Sequence, residues 1–80
     1  IQHDQISYHK TSKVKNMIDV YDLLKRFGTF IYTGDRIGDL ELIEDEIKEL
    51  YKSKMIEQKQ YQSAILIIRY EVSKLLSNKN

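Results

Sequence analysis

The residues best placed to do chemistry lie in one stretch, RFGTFIYTGDR, from Arg26 to Arg36. Two arginines flank it, two glycines punctuate it, and Phe30 and Tyr32 alternate with Ile31 and Thr33. Guanidinium groups grip phosphates and aromatic faces stack on bases, so this mixture suits a single-stranded nucleic acid. Its end, TGDR (Thr33 to Arg36), has the flavour of a phosphate loop but lacks the spacing and the lysine of a P-loop. A glycine ahead of a helix N-terminus still leaves free backbone N–H groups for an anion. The plainer expectation is structural. Gly28 stops one helix, Phe30 plugs the core, Gly34 turns the chain and Asp35 caps the next helix. Arg36 then covers the core edge with its stem.

Catalytic constellations are scarce. The chain has no cysteine, and its two histidines, His3 and His9, stand near the N-terminus. A Ser-His-Asp or Cys-His arrangement therefore cannot be built within the helical part. His3 and His9 could hold a metal loosely, but zinc chemistry wants three or four ordered ligands. Glu41, Asp45 and Glu49 follow one another at i,i+4 and could hold Mg²⁺ or Ca²⁺ with outside help. Along one exposed helix they read instead as a solvated face, because a general acid–base pair must stand across a cleft. The sequence predicts no enzyme, no catalytic residue, no metal site and no cofactor.

Three helical patterns must position these residues. The first spans roughly Ile18 to Phe27, with Asn16 as N-cap and Val20, Tyr21, Leu24 and Phe27 on one face. The second runs from about Arg36 to Lys52, with Asp35 or, if the first turn is irregular at Gly38, Asp39 as cap. Its stripe is Leu40, Ile43, Ile47, Leu50 and Tyr51. The third runs from about Gln58 to Leu76, opening on an imperfect capping box of Glu57 and Gln60. Tyr61, Ala64, Ile65, Ile68, Val72, Leu75 and Leu76 form its stripe. No proline interrupts any of them. The fold class is all-α, a small three-helix bundle with a short first helix, two longer ones and a frayed SNKN end. Residues 1–16 show no sustained period and read as a disordered, flexible N-terminal extension or tag remnant, with Met17 the natural start.

Eighty residues make a single domain with one small core. The longest apolar run, Ala64 to Ile68, has five residues, so no transmembrane helix is expected. The formal net charge of +1 hides an asymmetry. Residues 1–16 carry three lysines against Asp4, whereas residues 17–80 carry ten basic and eleven acidic side chains. The helical part is thus not globally basic, which speaks against strong duplex binding.

Two surfaces remain for a partner. Tyr21, Tyr51 and Tyr61 fall on core stripes. Arg26, Tyr32, Arg36, Arg69 and Tyr70 stay available for single-stranded RNA or DNA, the arginines for phosphates and the tyrosines for bases. On the third helix Leu66 and Tyr70 point away from the stripe, one turn apart, and Ile67 lies outside it on the other flank. These three suit a protein partner or a homodimer, unless the TFIY segment wraps round and buries part of them.

The runs YDLLKRFGTFIYTGDRIGDLELIEDEIKELY (Tyr21 to Tyr51) and YQSAILIIRYEV (Tyr61 to Val72) resemble the YqgQ-like family. The likeness covers residues 17 to about 75. It implies a short cytosolic protein of a Gram-positive bacterium, folded over residues 17–80 as a three-helix domain that starts near Met17. The resemblance also suggests single-stranded nucleic-acid binding, without assigning it as a function. The resemblance brings no catalytic or ligand residues. Glu57 departs from it, since Asp would cap the third helix better.

Overall fold

The computed structural model describes residues 13–78. Three helices follow one another: α1 (Met17–Arg26), α2 (Arg36–Lys52) and α3 (Gln58–Asn78). The expected extension over residues 1–12, with His3 and His9, lies outside the described residues, as do Lys79 and Asn80.

The start of α1 is held by its cap. Asn16 is extended, and its Oδ1 accepts from the Asp19 N–H at 3.0 Å. Asp19 returns the favour, taking the Lys15 N–H at 2.9 Å, and its charge suits the positive end of the helix. Packing begins earlier than the sequence suggests, because Val14 is buried in the core. On α1 the buried side chains are Val20, Leu23 and Leu24. Leu23 thus lies inward, while Tyr21 and Phe27 pack at the core margin. The helix ends in a Schellman closure. The Gly28 N–H donates to the Lys25 carbonyl and the Thr29 N–H to the Leu24 carbonyl, at 2.9 and 3.0 Å. Gly28 takes φ +77°, the left-handed region that glycine enters without a Cβ penalty.

Helices α2 and α3 form an antiparallel hairpin. Tyr51 meets Tyr61 beside the turn, and Glu44 meets Arg69 two turns further along. Leu40, Ile43, Ile47 and Leu50 of α2 interlock with Ala64, Ile65 and Ile68 of α3, and α1 closes the bundle chiefly against α3. The turn after α2 repeats the Schellman pattern. Lys54 donates to the Tyr51 carbonyl and Met55 to the Leu50 carbonyl, with Lys54 itself at φ +62°. Glu57 opens α3, and its N–H donates to the Gln60 Oε1 at 2.8 Å, half of the expected capping box. Leu76, placed on the core stripe by periodicity, is exposed, whereas Leu75 beside it packs against the core.

Candidate functional site

The connector between α1 and α2 carries the exposed chemistry. Thr29 and Ile31 are partly buried, whereas Phe30 and Tyr32 are 75% and 86% exposed. The expectation that Phe30 plugs the core is therefore wrong. Alternation puts every second side chain on one face, and the face turned inward holds Thr29 and Ile31. Ile31 packs against the core in its place.

Both ends of the connector are pinned. At its start stands the Schellman closure, and the Thr29 hydroxyl lies 3.4 Å from Glu46. At its end the Thr33 N–H and hydroxyl both donate to Asp39 Oδ1, at 2.7 and 2.6 Å. The same hydroxyl accepts from the Asp35 N–H at 3.2 Å. Asp35 occupies the N-cap position without a side-chain cap bond, its carboxylate lying over Gly38, where a Cβ would meet Oδ2 at 2.8 Å. Asp39, only 4% exposed, is thus the residue that ties the connector to α2.

Phe30 and Tyr32 face a cleft of about 530 Å³ that Tyr21, Lys25 and Thr29 also line. Lys25 pairs with Asp22 at 3.6 Å, an exposed i,i+3 contact that salt screens. Arg26 is exposed and has no side-chain partner among the described residues. The Arg36 Nη1 donates to the Tyr21 hydroxyl at 2.9 Å, so the second arginine sits next to the same tyrosine. Its Nη2 lies 3.9 Å from Glu71, a carboxylate it shares with Lys74.

The remaining candidates lie elsewhere on α3. Arg69 bonds Glu44 at 3.2 Å, and Glu44 also takes Lys48 at 3.3 Å. Residues 69 and 71 project some 200° apart around a helix, so Arg69 and the Arg36–Glu71 pair occupy opposite flanks. Each flank sets two cations on one carboxylate. Leu66 and Tyr70 are exposed, 69% and 63%, with Lys74 Nζ 5.3 Å from the Tyr70 ring centroid. The TFIY segment does not cover them. Ile67 differs from its expected place: it is half-buried and packs against the core. Leu66, Ile67 and Tyr70 border a groove of about 280 Å³ whose other wall is Lys15 to Met17. The five residues expected to bind nucleic acid therefore fall into groups. Tyr32 lines the cleft and Arg36 reaches it through Tyr21, Arg26 stands exposed at the end of α1, and Arg69 and Tyr70 stand apart on α3. Phe30 and Lys25 are the additions that sequence reasoning missed.

A family model described as YqgQ-like matches residues 14–74, the packed part from its first buried residue into the last turns of α3. The chain belongs to the YqgQ-like family. A YqgQ-like protein of Bacillus subtilis (strain 168), named "Uncharacterized protein YqgQ", is 40% identical over 62 residues, covering 78% of this chain and 87% of the relative. The YqgQ-like match starts at Val14, a residue buried in the core. Among the described residues no helix is long and apolar enough to cross a membrane.

Proposed function

We propose that this protein is a binding module, not an enzyme, and that it takes single-stranded RNA or DNA at the connector cleft. One observation carries this reading: two aromatic rings, Phe30 and Tyr32, stand in solvent on a segment pinned at both ends. Leaving such a ring exposed forgoes roughly 1.5–3 kcal/mol of burial each. A ring held outward in a cleft that Lys25 also lines suits a base, with a cation in reach of its phosphate. The reading places the protein in the cytoplasm, where unpaired RNA is abundant.

The test is fluorescence anisotropy of labelled single strands against the full chain across a salt series. Neutralising two or three phosphates predicts a slope of log affinity on log salt of roughly −1.4 to −2. Tyr32→Ala should weaken binding, and Arg26→Ala should flatten the slope. Affinity indifferent to both substitutions would remove Tyr32 and Arg26 from the binding surface. No binding at low salt would transfer the function to a protein partner on the Leu66–Tyr70 face, the second reading, which the apolar groove beside Met17 favours.

A further inference from the structure

We infer that Phe30 and Tyr32 are the two walls of one slot, which takes a single unpaired base between their faces. The inference rests on the single-strand reading and specifies its geometry. Exposure alternates from Thr29 to Tyr32, in, out, in, out. That period marks an extended segment with Phe30 and Tyr32 on the same side. Two residues of extended chain advance about 6.4–6.8 Å. Stacked bases along one strand are spaced by about 3.4 Å. A flat ring midway between the two side chains is therefore at stacking distance from both.

The slot is open and preset. Neither ring has an aromatic partner among the described residues. Tyr51 and Tyr61 show the closed alternative, with centroids 4.3 Å apart and planes 8° from parallel, leaving no room for an insert. The tie of Thr29 to Leu24 and that of Thr33 to Asp39 hold the segment on either side of the rings. Little ordering is then left for binding to impose. The cleft, about 530 Å³, falls in the size range of small-molecule pockets, and Lys25 on its rim is a cation for the adjoining phosphate. A base within a duplex is already stacked on both faces, so the slot selects strands that present an unpaired one.

The test uses the full chain and three labelled strands of equal length: all thymine, one thymine with abasic sites elsewhere, and fully abasic. Wild type, Phe30→Ala, Tyr32→Ala and the double variant are titrated with each at low salt. Both positions are solvent-exposed, and circular dichroism checks that the variants keep their helices. A slot predicts that the one-base strand binds the wild type more tightly than the abasic strand. It also predicts that either single substitution weakens the one-base complex about fivefold or more. Two independent platforms predict the opposite: each single variant stays within about twofold because the base moves to the other ring, and only the double variant loses. That result overturns the slot and leaves single-strand binding standing. Equal affinity for one-base and abasic strands overturns the slot as well, reducing the interaction to phosphates. A wild type that binds none of the strands overturns the single-strand reading and the slot together.

Discussion

The two junctions of the bundle start alike and end differently. The α1–α2 connector and the α2–α3 turn both leave their helix through a Schellman closure, with Gly28 at φ +77° in one and Lys54 at φ +62° in the other. Aromatic side chains accompany both. At the α2–α3 turn Tyr51 and Tyr61 stack on each other, so the rings complete one another and the turn is a structural joint. At the α1–α2 connector Phe30 and Tyr32 have no ring partner among the described residues. The same residue class thus packs at one end of α2 and waits at the other. Whether an aromatic serves structure or recognition is decided by what stands opposite it, not by its type.

The strongest way to break this contrast is to release the connector. Asp39→Ala removes the carboxylate that receives two hydrogen bonds from Thr33 and that lies in the first turn of α2. The expected cost is about 2–3 kcal/mol by denaturant unfolding, from lost charge-assisted hydrogen bonds and lost helix-end electrostatics. Single-strand affinity should fall with it, because the ring positions are no longer held. Asp39→Asn keeps an acceptor and should lose less. A stability change under about 0.5 kcal/mol would mean that packing, not this clamp, fixes the connector.

The paired closures allow a sharper comparison with opposite signs. At Gly28 a Cβ would meet nothing within 4 Å, so Gly28→Ala isolates the backbone penalty. It should destabilise by about 1–2 kcal/mol. Lys54→Gly relieves the same penalty at the other junction. Part of that gain is offset by the larger freedom of glycine in the unfolded chain, leaving a net stabilisation of about 0.5–1 kcal/mol. Thermal unfolding of both variants decides it. If Lys54→Gly lowers stability instead, the lysine stem contributes packing that outweighs its left-handed backbone.

Much of this architecture was legible in local chemistry. Asn16 and Gly28 punctuate α1 where side chain and backbone freedom predict, Asp35 holds the N-cap position of α2 without the expected side-chain bond, and α2 runs from Arg36 to Lys52 as its stripe indicates. The Glu44–Lys48 pair forms at 3.3 Å. What failed to show were choices made by distant groups. Alternation along TFIY marks two faces but not which one the core accepts, and a one-residue shift exchanges Phe30 for Ile31. Arg36 and Arg69 looked unengaged because Glu71 and Glu44, their partners, are far off in sequence. Asp39 reads locally as an alternative N-cap, and its hold on Thr33 exists only once the connector folds back. Lys54 carries no local mark of a left-handed residue, since the two hydrogen bonds of the closure impose that conformation. Of the site, Tyr32 and Arg36 were visible in sequence. The second ring was assigned to the wrong side.

The smallest expected effect tests the contrast most directly. If Phe30 and Tyr32 contribute nothing to packing, Phe30→Ala and Tyr32→Ala should each change stability by less than about 0.5 kcal/mol, as surface substitutions do. Tyr61→Ala supplies the reference at the other junction. It removes a half-buried ring and its stacked contact, the latter alone worth about 0.5–1.5 kcal/mol. Chemical denaturation of the three variants beside wild type gives the comparison, and the denaturant slope checks that the native states stay equally compact. A loss above about 1 kcal/mol at Phe30 or Tyr32 would show that the ring folds back onto the bundle in solution, so that both junctions are structural joints. Neutral stability together with weakened single-strand binding would separate the two roles cleanly. The rings at the α2–α3 turn would then act on the fold, and those of the connector on a ligand.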